Sequence, residues 1–220
     1  MEYKHCGLKP WKSLKVKAYY TVMLERLSME STLVKGFNVS FSRGKCLLNP
    51  SNVTVEAYKP GGFKKGVVEA LALSFPPSKA TYFRDWNAVT IKAFNRLIGV
   101  YESGKVTFCA SGDEEVEKIL DYVNHIIEST SNEIAEKGVP RVEDVESWSR
   151  LTPLDLYKHL PKTNCRECGE DTCIALAAKV LSGEKPLKDC KPLSKPENRR
   201  LLEEFRRRLG DKALKALGWE

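Results

Sequence analysis

Residues 160–173 read LPKTNCRECGEDTC, and residues 183–193 read GEKPLKDCKPL. These two stretches contain four cysteines at the spacing C-x2-C-x4-C-x16-C, namely Cys165, Cys168, Cys173 and Cys190. Sites made of thiolates alone bind zinc or an iron–sulfur cluster rather than hard cations. The spacing therefore predicts a thiolate metal site close to the end of the chain.

The residues between these cysteines carry turn and helix-capping signals. Gly169 allows the backbone to turn sharply after the first pair of cysteines. Thr172 predicts a helix N-cap, which puts Cys173 in the first turn, where free N–H groups and the helix dipole stabilise a thiolate. Gly183 suits the C-cap of that helix. The chain then returns through Lys185-Pro186 and supplies Cys190 from a distance.

The spacing also bears on which metal is bound. Structural zinc sites with four cysteines usually carry two separate CxxC pairs. This chain has one such pair, a third cysteine four residues further on, and a single distant cysteine. We therefore predict one [4Fe–4S] cluster. A structural zinc ion in a scaffold protein is the alternative.

The cysteine region resembles a known family. LYKHLPKTNCRECGEDTC and ALAAKVLSGEKPLKDCKPL are similar to the four-cysteine [4Fe–4S] domain of the corrinoid iron–sulfur protein large subunit, of the acetyl-CoA decarbonylase/synthase complex and of the Rnf complex B subunit, over residues 150–195. The resemblance implies that the four cysteines are the cluster ligands. The chain departs from the family pattern at Arg166, where glycine is usual, at Asp171, where proline is common, and at Lys191, where proline often follows the last cysteine.

The resemblance also implies a function. It predicts electron transfer to, or reductive activation of, a protein redox partner of corrinoid or C1 metabolism in an anaerobic organism. The corrinoid-binding barrel of the corrinoid protein has no counterpart in these 220 residues, so corrinoid binding by this chain is not expected. The sequence has no glycine-rich phosphate loop, no GxSxG and no clear His/Asp/Ser set, which favours an electron-transfer or accessory protein over an enzyme.

The preceding residues have the pattern of an α+β domain. Strands are predicted at 37–41, 46–48, 53–57, 88–94, 97–101 and 106–109, with a turn at 42–45, and helices at 63–73 and from Asp113 to about Glu136. Residues 141–149 are predicted to be an acidic connector. We therefore expect residues 1–147 to form an antiparallel sheet with helices on one face, and residues 148–220 to form a small, mainly helical [4Fe–4S] domain ending in a basic helix.

The element order over residues 50–130 resembles one repeat of the TATA-box-binding-protein-like fold. That resemblance, with a net charge of +7 and a pI of about 9.0, provides a second hypothesis: a nucleic-acid-binding protein with a structural or redox-sensing cluster. Such a protein would use exposed wedge residues on its sheet. The available phenylalanines are Phe37, Phe41, Phe83 and Phe94.

Several features concern the compartment and the remaining candidates. No apolar run approaches the roughly 18 residues of a membrane span, and the first residues, MEYKHC, do not resemble a secretory signal. The seven cysteines are an odd number, which favours a reducing, cytoplasmic compartment. The remaining cysteines and histidines lack metal-ligand spacing and are not predicted to be ligands: His5, Cys6, Cys46, Cys109, His125 and His159.

Overall fold

The computed structural model describes residues 32–45 and 52–219. Within these residues, seven strands form one antiparallel sheet with the order β1-β2-β3-β7-β6-β5-β4. The strands are β1 (Thr32–Val34), β2 (Phe37–Lys45), β3 (Val53–Tyr58), β4 (Ala80–Phe83), β5 (Ala88–Ala93), β6 (Arg96–Tyr101) and β7 (Lys105–Ala110).

Within the described residues, the α-helices lie between β3 and β4 and after β7. They are α1 (Val67–Ser74), α2 (Asp113–Lys137), α3 (Val142–Ser149), α4 (Pro153–Tyr157), α5 (Cys173–Ser182) and α6 (Arg199–Ala216). Short 3-10 turns connect α5 to α6, and Gly210 breaks the helical geometry inside α6 with φ of 81°. None of the helices in the described ranges is both long and apolar enough to cross a membrane.

The sheet buries one of its faces. In β7 the side chains of Val106, Phe108 and Ala110 are buried, and the residues between them are half-buried. This alternation is expected when a sheet packs its apolar face against helices and leaves the other face less covered. The predicted antiparallel sheet with packed helices is therefore confirmed.

Two local predictions were wrong. Residues 42–45 continue β2 instead of forming a turn, because a register shift between Ser42 and Lys45 takes up the additional residues as a bulge. The predicted acidic connector contains helix α3, whose Val145 and Trp148 are fully buried at helical spacing. The predicted strand at 46–48 lies outside the described residues, as do His5, Cys6 and Cys46.

The four candidate wedge phenylalanines do not share one exposed surface. Phe37 is completely buried and contacts Phe63 at a ring-centroid distance of 6.5 Å, and Phe41 packs against the same core. Phe94 contacts Tyr122 of α2 edge-on at 5.1 Å. Phe83 is 37% exposed and stacks on Trp86. Their placement therefore does not favour the insertion of all four side chains into a nucleic-acid groove.

The cysteine-bearing region packs against the sheet region. Buried residues from β2 through to the last turn of the chain form a single hydrophobic core. Trp148 Nε1 donates a hydrogen bond to the Phe75 carbonyl at 3.0 Å, and the Ser78 amide donates to the Leu181 carbonyl at 3.3 Å. The predicted boundary between residues 147 and 148 lies within α3, and these contacts cross it.

Candidate metal centre

The four predicted ligands come together from three elements. Cys165 and Cys168 lie on the loop between α4 and α5, Cys173 is the first residue of α5, and Cys190 follows a 3-10 turn. All four line one small cavity, which Asn164 and other residues of the loop complete. Sequence positions 25 residues apart are therefore brought to one place, as the spacing predicts.

The four cysteines differ in their access to solvent. Cys165 is exposed and Cys168 is half-buried. Cys173 and Cys190 are only 6% and 4% exposed. The cavity is therefore closed on the side of α5 and the 3-10 turn, and its accessible side is the one that carries Cys165.

The loop that carries the first two cysteines has unusual backbone geometry. Lys162, Asn164 and Arg166 have φ of 61°, 48° and 64°, in the left-handed region that non-glycine residues seldom occupy. Gly169 has φ of 80°, and its amide donates to the Arg166 carbonyl at 2.8 Å. The prediction that Gly169 permits a sharp turn is confirmed, and Arg166 occupies a conformation for which glycine is the natural residue.

The helix that begins at Cys173 is capped as predicted. Thr172 is the N-cap, and its side-chain oxygen accepts a hydrogen bond from the Ala175 amide at 3.2 Å. The Cys173 amide donates to Asn164 Oδ1 at 2.8 Å. Gly183 ends the helix in a left-handed conformation with φ of 69°. Cys173 is therefore held at a helix N-terminus, where the dipole stabilises negative charge.

A charged network lies beside the cysteines. Glu170, which also lines the cavity, accepts hydrogen bonds from Lys185 Nζ at 2.8 Å and from Lys179 Nζ at 2.9 Å. Lys185 Nζ also donates to the carbonyl of Cys168 at 2.6 Å. The hydrogen bond from Lys185, followed by that from Lys179, lowers the pKa of Glu170, and the hydrogen bond to Glu170 raises the pKa of Lys185.

The electrostatics of the cavity disfavour four free thiolates. The pKa of Cys190 is raised to about 11, mainly by burial; a hydrogen bond from the Leu193 backbone opposes the rise, and the nearby Cys173, Cys168 and Cys165 contribute to it. Thiolate ligands must lose their protons when a metal binds, and the metal's positive charge compensates for their mutual repulsion. The four clustered thiols therefore suit a positively charged metal group.

The distances between donor groups bear on the kind of metal group. Within residues 32–45 and 52–219, no three side chains of Cys, His, Asp or Glu are close enough together to bind a single metal ion. A zinc ion requires its sulfur ligands at about 2.3 Å from one centre. A cubane cluster binds each of its four cysteines through a different iron, so its ligands need not surround one metal ion.

The other sequence candidates lie elsewhere. Cys109 is on β7, and His125 lines a separate groove between α2 and α6. His159 packs against Phe205 at a ring-centroid distance of 5.2 Å, and burial lowers its pKa. None of the three lines the cysteine cavity.

Sequence reasoning did not identify Glu170, Lys179 and Lys185 as part of the site. Lys185 contacts a carbonyl 17 residues before it in the chain. No helical or strand periodicity links positions so far apart, so the contact became visible only in the folded chain.

Comparison with known proteins identifies the same region. Residues 160–192 match the family model described as "Putative Fe-S cluster". Subunit gamma 1 of the acetyl-CoA decarbonylase/synthase complex of Methanosarcina thermophila is 52% identical over 44 residues, which are 20% of this chain and 9% of that protein. The gamma subunit of Archaeoglobus fulgidus is 45% identical over 59 residues, which are 24% of this chain and 13% of that protein.

These matches are confined to one segment. This chain covers only about a tenth of the length of the curated relatives. No solved structure matches the chain at a significant level, so the TATA-box-binding-protein-like resemblance stays a prediction. Residues 160–192 are therefore similar to the iron–sulfur family that the matching model describes, and the resemblance to the acetyl-CoA decarbonylase/synthase complex is confirmed for this segment.

Proposed function

We propose that this chain holds one [4Fe–4S] cluster through Cys165, Cys168, Cys173 and Cys190. The observation that carries the proposal is that these four thiols, drawn from a loop, a helix N-terminus and a distant turn, line one cavity. The match of residues 160–192 to an iron–sulfur family supports it. The chain's own residues supply the rest of the site: Thr172 caps α5, and Asn164 holds the amide of Cys173.

We further propose that the chain is a cytoplasmic electron-transfer or accessory protein of anaerobic metabolism. A bound cluster would supply reversible uptake of one electron. The electron would come from a low-potential donor protein and pass to a protein partner. The similarity to named subunits of the acetyl-CoA decarbonylase/synthase complex supports a partner in corrinoid or C1 metabolism. The exposed Cys165 supplies the side on which a redox partner can approach.

Anaerobic purification followed by metal and sulfide analysis tests the cluster. We expect a brown protein with a broad absorption band near 400 nm and about four iron and four sulfide per chain. Changing any one of the four cysteines to serine should reduce the iron content. Cys109→Ser, on β7 outside the cavity, is the matched control and should retain the iron. A colourless protein with one zinc per chain would instead support the scaffold alternative.

A further inference from the structure

Lys185 joins two parts of the cysteine site. Its ammonium donates one hydrogen bond to the Cys168 carbonyl at 2.6 Å and a second to Glu170 Oε1 at 2.8 Å. The left-handed Gly183 at the end of α5 and the hydrogen bond from the Lys185 amide to the Lys179 carbonyl at 3.2 Å direct the chain back toward this loop. An ammonium has three donors and no acceptor, so it can hold both oxygens at once.

These charges are partly shielded from water. The Glu170 side chain is 10% exposed and that of Lys185 is 27% exposed. With Lys179, the network contains two ammonium groups and one carboxylate, which leaves one net positive charge beside Cys168. Reduced access to water lowers the local dielectric constant, so a charge here acts more strongly on its neighbours than the same charge at the surface.

We propose that Lys185 is a positioning residue of the cluster site, one that fixes the Cys168–Glu170 turn and favours the reduced state through its charge. The proposal rests on the proposed function, because it concerns the same four-cysteine site. An ammonium beside a ligand stabilises the additional negative charge that arrives with one electron. Glu170 acts in the opposite direction, since its carboxylate opposes that charge and partly cancels the effect of the two lysines.

Other cations near the cysteines are placed differently. Lys179 reaches Glu170 but belongs to the last turn of α5. The Arg166 side chain is 73% exposed and lies 3.5 Å from an exposed Asp171. Lys188 is exposed on the turn before Cys190, which makes it the matched control for removing one positive charge from the same segment.

The test compares four variants of the full chain with the wild type: Lys185→Met, Lys185→Arg, Glu170→Gln and Lys188→Met. Iron content is measured first. The cluster is then titrated anaerobically with dithionite in the presence of redox mediators, and its absorption near 400 nm gives the midpoint potential. The variants at 185 and 170 distinguish a charge effect from a folding effect, because removing a cation and removing an anion should shift the potential in opposite directions.

For Lys185→Met we expect a roughly tenfold decrease in the ratio of reduced to oxidised cluster at a fixed potential, which corresponds to about 59 mV for one electron. Glu170→Gln should raise the midpoint potential and increase the ratio of reduced to oxidised cluster by a similar factor. Lys185→Arg and Lys188→Met should remain within about twofold of the wild type, since the first retains the charge and the second removes an exposed one. If Lys185→Met loses its iron while Lys185→Arg keeps it, the positioning role is supported. The charge effect is then tested by whether Glu170→Gln raises the midpoint potential.

Two results would overturn the proposal. One is a loaded wild-type protein whose potential and iron content are unaffected by Lys185→Met and Glu170→Gln. The other is a shift of both variants in the same direction, which would indicate a general disturbance of the loop. A wild-type protein that binds no iron–sulfur cluster would be a failure of the proposed function, and the iron and sulfide analysis of the wild type distinguishes that case.

Discussion

The amide of Cys173 donates a hydrogen bond to Oδ1 of Asn164, at a distance of 2.8 Å. This contact connects the start of the cysteine loop to the first residue of α5, nine residues further along the chain. It occupies one of the N–H groups that a helix leaves without an intrahelical partner at its N-terminus. Asn164 itself is in the left-handed region with φ of 48°, which asparagine tolerates better than most residues.

Asn164 is expected to contribute through both its side chain and its backbone. Asn164→Gly should remove the hydrogen bond, which costs about 1 kcal/mol of unfolding free energy, and add the roughly 0.5–1 kcal/mol that glycine loses in chain entropy. Asn164→Ala should cost about 1 kcal/mol more, since alanine is also strained at positive φ. Urea unfolding of the two variants under anaerobic conditions measures the difference. Equal stability of the two would show that the left-handed conformation is not held in the native state.

The protein is expected to be less stable with Arg166 than with glycine at the same position. Its φ of 64° is strained for a residue with a Cβ, and its guanidinium pairs with an exposed aspartate. Relief of the strain, about 1–2 kcal/mol, should exceed the roughly 0.5–1 kcal/mol that glycine loses in chain entropy. Arg166→Gly should therefore be slightly more stable than the wild type.

Arg166→Ala supplies the control for this change. It removes the same guanidinium but keeps a Cβ, so it should gain nothing over the wild type. Thermal unfolding of both variants, with iron content measured on the same samples, checks the order. An Arg166→Gly protein less stable than Arg166→Ala would contradict the strain argument.

The capping residues show what the sequence could predict of the site. Thr172 and Gly183 act within a few residues of themselves, so their residue types predict the start and end of α5 correctly. The strands Ala88–Ala93, Arg96–Tyr101 and Lys105–Ala110 follow from alternation and one glycine turn in the same way. Local rules are sufficient where the interactions themselves are local.

Other features depend on contacts between distant residues. The edge strand Ala80–Phe83 has only four residues, too few for its alternation to be distinguished from a loop. Helix α3 is acidic, and its position depends on Val145 and Trp148 packing into a core made by the rest of the chain. The contact between Lys185 and Cys168 depends on the path of the chain after α5. Helical or strand periodicity in the sequence does not predict that path.

His159 is expected to make stability depend on pH. Burial lowers its pKa, and the nearby Arg208 lowers it further, while Glu204 and Asp155 partly oppose the effect. Neither ring nitrogen has a hydrogen-bond partner within the described residues. Because the folded pKa lies below the unfolded value of about 6.5, the stabilisation is complete above that pH and is lost as the pH falls through the folded pKa.

Comparison with His159→Met isolates this contribution. Methionine keeps an apolar contact with Phe205 and does not titrate. Subtracting the unfolding free energy of the variant from that of the wild type should therefore give a smaller value at about pH 5 than at about pH 7.5. Urea unfolding at the two pH values gives the two differences. A difference that does not change with pH would mean that His159 is not held in its neutral form by the fold.

Lys212 and Glu133 connect α6 to α2, with Nζ and Oε2 separated by 2.8 Å. Burial lowers the pKa of Lys212 against the raising effect of Glu133, and the Lys212 side chain is 20% exposed. Removing the carboxylate leaves a largely buried ammonium without its partner, whereas replacing the lysine by methionine removes the charge and keeps an apolar chain. The two single changes are therefore not equivalent.

We expect Glu133→Gln to cost more stability than Lys212→Met, by about 1–2 kcal/mol. The double variant should be close to Lys212→Met alone, because the glutamine that replaces Glu133 then no longer faces a buried charge. Urea unfolding of the two single variants and the double variant completes the cycle. Additive effects would show that the two side chains do not interact across the helices.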